Sequence, residues 1–199
     1  GLVRDLRVRW RHEKAAIPSE SRLLGPGESK GADYLREQPF GQVPTYADGA
    51  VAMFQSGAIV LHIAEDCEAL LPRDPLARAR AVSWVFAALN SIEPAIMQLA
   101  EIDLFHAGEA WTLERRPQAE AFTRARLAAL SDWLGNRDYL EQRFTAGDLM
   151  MTTVLRILRH TDLVAEHANL HDFQARCEAR PAFGRALAAQ MQPFEMADA

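Results

Sequence analysis

The amino-acid pattern changes at residues 70–75, and this change limits the folds that the chain can adopt. Leu70-Leu71-Pro72-Arg73-Asp74-Pro75 carries two closely spaced prolines, which suits a connector better than the interior of a helix or strand. Before it, short runs broken by glycine and proline predict mixed strands and helices; beyond it, the apolar patterns have helical spacing. The sequence therefore predicts a small α/β domain over 1–69, a linker over 70–75 and an all-helical domain over 76–199.

The composition excludes several classes of protein. Apolar residues make up 49% and charged residues 25% of the 199 positions, as in an ordinary globular protein. A formal net charge of −5 argues against a nucleic-acid-binding protein, which needs cationic groups to neutralise phosphates. The apolar runs are too short to span a bilayer, so we expect no membrane segment. Cys67 and Cys177 form neither a Cys-x-x-Cys pair nor a secreted disulfide framework, which favours a cytoplasmic location.

The first part of the chain combines helical and strand patterns. Apolar residues at spacings of three and four predict a helix over 2–16, followed by a short strand over 21–24 and one or two helical turns over 30–37. Asp48-Gly49 lies between two short runs, which predicts a β-hairpin with its turn at this dipeptide. Ser56 is then predicted to be the N-cap of an apolar helix.

The second part predicts only helices. They cover residues 76–106, with Pro94 kinking or interrupting the helix, and then 113–134, 146–159, 170–178 and 181–191. Thr145-Ala146-Gly147-Asp148 has the Ser/Thr-x-x-acid form of a capping box, in which Thr145 and Asp148 satisfy backbone groups reciprocally. The helix that it begins is apolar on most sides. We therefore expect that helix to be buried and Thr145 and Asp148 to have a structural role.

Four landmarks in this order resemble the glutathione S-transferase family, in particular its bacterial-type cytosolic members. They are Gln38-Pro39-Phe40-Gly41-Gln42-Val43-Pro44, the run Phe54-Gln55-Ser56-Gly57-Ala58-Ile59 after the hairpin, Leu71-Pro72, and Phe144-Thr145-Ala146-Gly147-Asp148. The resemblance implies a thioredoxin-like N-terminal domain and a C-terminal helical bundle. It also implies a homodimer formed through helices near 56–65 and 76–106, with glutathione as co-substrate, a small hydrophobic electrophile as second substrate, and a role in detoxification.

The resemblance also implies how glutathione is bound. A cis peptide bond before Pro44 would turn the backbone of Val43 outward, where it could pair with the cysteinyl part of the tripeptide like an added strand. Gln55 and Ser56 open a helix, whose N-terminus attracts a carboxylate, and would hold the γ-glutamyl end. Lys30 and Gln42 would face the glycine carboxylate. The alternatives are an ordinary loop proline, a simple N-cap serine and a solvated lysine.

The aromatic residues, histidines and cysteines outside these motifs give weaker indications of a functional site. Phe105 and Trp111 would belong to an electrophile pocket between the domains, although packing in the core explains an aromatic pair equally well. His167 and His171 are four residues apart, the best metal-ligand spacing in the chain, yet the surrounding sequence suggests a loop entering a helix, and we expect no metal site. Neither cysteine has a neighbour that would lower its thiol pKa.

A residue that activates the glutathione thiol is missing from the pattern. In the resembling family it is a Ser, Tyr or Cys between the first strand and the first helix. Here that helix begins almost at Gly1, and none of these residues occurs before Ser19. We therefore expect the first strand and the catalytic residue upstream of Gly1; the alternative is a family member that has lost both. An upstream Ser or Tyr would favour glutathione conjugation, and a Cys would favour thiol reduction. The absence of all three would favour a non-catalytic binding or regulatory protein.

Overall fold

A computed structural model describes residues 2–15, 20–25 and 27–197. The N-terminal part has a small antiparallel sheet flanked by helices. Its elements are α1 (Leu2–Ala15), a 3₁₀ turn (Glu28–Lys30), α2 (Ala32–Glu37), β1 (Thr45–Asp48), β2 (Val51–Phe54) and α3 (Ser56–Ala64). The predicted first helix and hairpin are confirmed. The hairpin turn lies at Gly49-Ala50 rather than at Asp48-Gly49, with Gly49 at a φ of 55°, a left-handed conformation that glycine adopts without strain.

Two other local predictions are wrong. Residues 20–25 form no strand, although their composition favours one, because a strand needs a ladder partner and β1 is paired only with β2 among the described residues. Ser56 is the first residue of α3 and not its N-cap, a position that Gln55 takes with no side-chain capping bond. The Ser56 hydroxyl instead accepts a hydrogen bond from Arg7 of α1.

The C-terminal part contains helices joined by turns and loops, with no strand in its described length. It contains α4 (Pro75–Ala87), a π-helical turn (Ala88–Ile92), α5 (Glu93–Ala100), a second π-helical turn (Glu101–Phe105), α6 (Ala110–Leu134), α7 (Ala146–Leu155), a 3₁₀ turn (Arg156–Leu158), α8 (Ala168–Glu178) and α9 (Pro181–Ala197). The predicted interruption near Pro94 is confirmed. Because proline lacks an N–H and its ring collides with the carbonyl four residues earlier, the backbone before Pro94 widens into a π turn.

One continuous hydrophobic core joins the two parts. Leu6 and Trp10 of α1 pack into the same cluster as α7, whose residues are all buried as predicted. The Trp10 ring lies 4.9 Å, edge to face, from the ring of Phe183 in α9. The predicted linker contributes to this core, since Leu70 is fully buried and its carbonyl accepts a 2.9 Å hydrogen bond from the N–H of Ala146. The position of α1 is therefore fixed by helices from the far end of the chain.

The predicted capping box at the start of α7 is confirmed. Thr145 Oγ1 accepts from the N–H of Gly147 at 3.2 Å, and Asp148 Oδ2 accepts from the N–H of Thr145 at 2.7 Å. Asp148 Oδ1 also accepts from the N–H of Leu140 at 2.8 Å, so this carboxyl ties the preceding loop to the helix. Gly147 lets α7 lie against α4, because a Cβ at this position would fall 2.4 Å from Cβ of Trp84.

Replacing Asp148 is expected to destabilise the fold. Asp148→Ala leaves the buried N–H groups of Leu140 and Thr145 without their acceptor, which should lower the free energy of unfolding by about 3 kcal/mol at pH 5. Urea denaturation measures the change. The exposed Asp132→Ala is the matched control and should change the free energy by less than about 0.5 kcal/mol. Equal unfolding midpoints for the two variants would contradict the structural role of Asp148.

The same carboxyl should give the protein a pH dependence of known sign. Burial raises the pKa of Asp148 to about 6, whereas an aspartate in the unfolded chain has a pKa of about 3.9. Between these values the folded protein holds a proton that the unfolded chain releases. The contribution of Asp148 is therefore complete below about pH 4 and falls by about 3 kcal/mol as pH rises through 6.

Comparison with Asp148→Asn, which cannot ionise, isolates this contribution. The stability of the wild type relative to this variant should decrease from pH 4 to pH 7 in urea denaturation. An increase over the same range would mean that the N–H donors around the carboxylate outweigh its burial.

Candidate functional site

A cis peptide bond marks the entry to β1. The bond between Val43 and Pro44 is cis, as the sequence predicts, with Val43 half-buried and Pro44 buried. The preceding residue, Gln42, is held on both its backbone and its side chain. Its carbonyl accepts a 2.8 Å hydrogen bond from the Tyr34 hydroxyl, and its Oε1 accepts one of 2.8 Å from Arg4 Nη1. The loop that presents Val43 is thus anchored to both α1 and α2.

The second predicted binding element is the start of α3. Gln55 is exposed and has a φ of 72°, a left-handed conformation that is uncommon for residues other than glycine. Such conformations concentrate at functional sites, where the surrounding structure enforces them. Ser56 follows it and is buried at the N-terminus of the nine-residue helix, where free N–H groups favour an anion.

A buried arginine that sequence reasoning missed lies beneath Ser56. Arg7 of α1 has no exposed surface, and its guanidinium donates to three side chains. Nη1 donates to Ser56 Oγ at 3.2 Å, Nε to Thr153 Oγ1 at 3.1 Å and Nη2 to Glu93 Oε2 at 3.0 Å. The sequence did carry a signal, since Arg7 lies three residues before Trp10 on the apolar face of α1.

Glu93 connects this arginine to the Val43 loop. Its Oε1 lies 3.7 Å from Nε of Arg4, the residue that donates to Gln42, and its Oε2 forms the ion pair with Arg7. Gln42, Arg4, Glu93, Arg7 and Ser56 therefore form one continuous polar chain. Burial lowers the pKa of Arg7, and the Glu93 carboxylate opposes this. With two guanidinium groups and one carboxylate, the chain has an excess positive charge that adds to the field of the α3 N-terminus.

Lys30 makes contacts with the backbone that the sequence did not predict, and its contact with the glycine carboxylate stays a prediction. Its side chain is exposed, but Nζ donates to the carbonyl of Gly41 at 2.9 Å and to that of Phe40 at 3.4 Å. Gly41 has a φ of 58°, and a Cβ there would lie 2.6 Å from the carbonyl oxygen of Ser29. Lys30 therefore fixes the loop immediately before Gln42 and Val43.

The predicted aromatic pair lies at the surface. Phe105 is 71% exposed and Trp111 is 42% exposed, so packing in the core does not explain them. Trp111 Nε1 donates to Glu109 Oε2 at 2.5 Å, and its ring centroid lies 5.3 Å from that of His106. They flank the junction between the second π turn and α6. Their part in an electrophile pocket stays a prediction.

The other titratable residues of the described part are not gathered into a metal centre. Within residues 2–15, 20–25 and 27–197, no group of three or more His, Cys, Asp or Glu side chains is placed to hold a metal ion. Burial raises the pKa of the Cys177 thiol to about 12, so it stays protonated near neutral pH. No helix in the described part of the chain combines the length and apolar character needed to cross a bilayer.

Comparison with known proteins places this arrangement in context. The family model described as "Glutathione S-transferase, N-terminal domain" matches residues 4–65. A glutathione S-transferase of Silene vulgaris is 27% identical over 184 residues, covering 85% of this chain and 84% of the relative. The disulfide-bond oxidoreductase YfcG of Escherichia coli is 26% identical over 177 residues, covering 82% of this chain and 80% of the relative.

Solved structures show the same fold over nearly the whole chain. Poplar glutathione transferase F1 superposes with a TM-score of 0.85 at 22% identity, covering 96% of this chain and 94% of that one. A Burkholderia graminis glutathione transferase, solved with two glutathione molecules per subunit, has a TM-score of 0.86 at 23% identity and covers 94% and 84%. The predicted fold class, a thioredoxin-like domain followed by a helical domain, is confirmed, and residues 4–65 belong to the N-terminal domain family of the glutathione S-transferases.

Proposed function

We propose that the protein binds glutathione between the Val43 loop and the start of α3. In this proposal the backbone of Val43 pairs with the cysteinyl residue, Gln55 and Ser56 hold the γ-glutamyl carboxylate, and Gln42 faces the glycine carboxylate. The observation that carries the proposal is the polar chain from Gln42 to Ser56, which ties the two binding elements together through Arg4, Glu93 and Arg7. Its excess positive charge suits a tripeptide that carries two carboxylates. Lys30 contributes by fixing the loop.

The reaction that we propose is conjugation of glutathione to a small electrophile. The thiol loses its proton, the thiolate sulfur forms a bond to an electrophilic carbon, and the leaving group departs with its electron pair. For a chloronitrobenzene the carbon–chlorine bond breaks and chloride is released. Because α1 contains no Ser, Tyr or Cys, a group outside this helix promotes the ionisation of the thiol.

Similarity to a disulfide-bond oxidoreductase supports a second candidate activity, glutathione-dependent disulfide reduction. Here the glutathione thiolate attacks one sulfur of a disulfide and displaces the other as a thiolate. A second glutathione then resolves the mixed disulfide, so that two glutathiones are oxidised and one disulfide is reduced. Both activities use the same bound thiolate and differ in the atom it attacks.

Two assays on the same preparation separate the alternatives. Absorbance of the conjugate of 1-chloro-2,4-dinitrobenzene reports transferase activity, and a glutathione-reductase-coupled assay with a mixed disulfide reports reduction. Turnover in the first assay alone supports the transferase, and turnover in the second alone supports the reductase. Retention on immobilised glutathione with no turnover on several electrophiles or on disulfides would support a non-catalytic binding protein.

Removal of the Ser56 hydroxyl should weaken glutathione binding. Ser56→Ala deletes one hydrogen-bonding group at the proposed carboxylate site, and the expected loss is about tenfold in Kd, which corresponds to about 1.4 kcal/mol. Isothermal titration calorimetry measures the affinity. Ser83→Ala on the exposed face of α4, where the hydroxyl bonds only to its own helix, is the control. Identical affinities for the two variants would remove Ser56 from the binding site.

We also propose a homodimer formed through α3 and the helices from α4 to the second π turn. Phe86 of α4 is 51% exposed and Leu76 is 73% exposed, and apolar side chains of this size on one helix favour an interface. Phe86→Glu should convert a dimer of about twice the chain mass into a monomer in light scattering. Phe122→Glu, on the exposed side of α6, should leave the mass unchanged. A monomeric wild type would contradict the proposal.

A further inference from the structure

A second arginine of α1, Arg11, is buried without a full set of partners. It follows Arg7 by one helical turn and is 1% exposed. Its Nη2 donates to the carbonyl of Ile63, but Nε and Nη1 have no hydrogen-bond partner in the part of the chain that the structure describes. Arg7, by contrast, donates from Nε and from both Nη nitrogens. The buried guanidinium of Arg11 therefore lacks an acceptor for two of its nitrogens.

The contact with Ile63 explains only part of this arrangement. Ile63 lies in the last turn of α3, where the backbone carbonyls have no partners within the helix and a cation is favourable. Arg11 therefore caps the C-terminal end of α3. This role occupies one nitrogen of the guanidinium and leaves the burial of Nε and Nη1 unexplained.

The thiol of Cys67 adjoins Arg11 at this end of α3. The N–H of Cys67 donates to the carbonyl of Ala64 at 2.9 Å, so the chain turns back directly after the carbonyl that Arg11 contacts. Burial lowers the pKa of the Arg11 guanidinium. Of the groups whose negative charge opposes this lowering, Cys67 acts most strongly, before Asp66 and Tyr46. Asp66 bonds to neither Nε nor Nη1, so it does not supply the missing acceptor.

Small molecules in solution have access to Cys67. It is a free thiol and is half-buried, and the residues on both sides of it are exposed. The carboxylates of Glu65 and Glu68 lie on the same turn, but each has a cationic partner. Arg78 lies 2.6 Å from Glu65 Oε2, and Arg73 lies 3.6 Å from Glu68 Oε2. The charge of Arg11 therefore acts on the thiol with little opposition from these neighbours.

We propose that Cys67 is a redox-sensitive site at which a peroxide forms a sulfenate that Arg11 stabilises. The adjacent cation favours the thiolate, which is the reactive form. The thiolate sulfur attacks hydrogen peroxide, the S–O bond forms as the O–O bond breaks, and the departing hydroxide takes up the proton that the thiol released, giving water. The sulfur loses two electrons and the peroxide gains them. The new oxygen is an acceptor for Nε and Nη1.

This site goes beyond the proposed function, because Cys67 follows the C-terminal end of α3 whereas the proposed glutathione site is at its start. The test therefore uses the full chain without glutathione. Protein is treated with hydrogen peroxide and dimedone, a reagent for sulfenic acids, and mass spectrometry of tryptic peptides follows the adduct. Cys67 should be labelled, and dithiothreitol added before dimedone should prevent labelling. Absence of the adduct at Cys67 would overturn the proposal.

Cys177 is the internal control for this experiment. It is fully buried, and burial raises the pKa of its thiol to about 12, so it should stay unlabelled. Equal labelling of the two cysteines would overturn the proposal, because unfolding rather than Arg11 would then account for the reaction.

A matched pair of variants measures the contribution of Arg11. Arg11→Met keeps a long, flexible side chain and removes the guanidinium, and it should slow the labelling of Cys67 by about tenfold. Arg78→Met removes a cation from the surface pair with Glu65 and should change the rate by less than about twofold. Equal rates for the wild type and Arg11→Met would contradict the assigned role of Arg11.

A second pair of variants keeps Arg11 and tests the missing acceptor through stability. Cys67→Asp supplies a charged acceptor beside the guanidinium, whereas Cys67→Asn has the same shape without the charge. Cys67→Asp should have the higher Tm, by about 3 °C, because a hydrogen bond to a carboxylate is stronger than one to an amide. An equal or lower Tm would overturn the proposal, even where Arg11→Met fails to fold.

Discussion

The guanidinium of Arg7 is the charge around which this structure is arranged. It is removed from water in the first helix, and its partners come from three other helices: Ser56 of α3, Glu93 of α5 and Thr153 of α7. A buried charge without its partner destabilises the folded state by about 3–5 kcal/mol. The four helices must therefore adopt the one relative placement that brings these groups together. That placement sets the Ser56 hydroxyl at the α3 N-terminus and, through Glu93 and Arg4, positions the loop that presents Val43.

Features that depend on neighbouring residues could be predicted from the sequence. The hairpin, the capping box at Thr145 and Asp148 and the interruption at Pro94 follow from local stereochemistry, whereas the cis bond before Pro44 was implied by the family resemblance. Ser56 was mispredicted as an N-cap because its hydroxyl has a partner 49 positions earlier in the chain, which no local pattern reveals. The segment 21–24 was mispredicted for a related reason, since a strand exists only where another strand pairs with it.

The backbone elements of the candidate site could be predicted from the sequence, whereas the charged side chains that connect them could not. Val43, Gln55 and Ser56 stand in motifs that a sequence displays directly. Arg4, Arg7 and Glu93 do not, because α1 contains several arginines and only folding shows which of them is buried. Lys30 illustrates the same limit, because no local pattern reveals that its ammonium group donates to the carbonyls of Gly41 and Phe40.

The ion pair between Arg7 and Glu93 also bears on how such a chain can diverge. The proline connector at 70–75 separates two parts of different architecture, which makes it a natural point at which to join parts of two proteins. The ion pair, however, joins a residue before the connector to one after it. Consider a chimera that takes residues 1–69 from one parent and the helical part from another. Its buried guanidinium at Arg7 comes from the first parent, and the residue at the position of Glu93 comes from the second. Exchange at the connector is therefore open only to parents that share a carboxylate at this position. Either part can therefore be replaced only by one that keeps the charge with which the other part pairs.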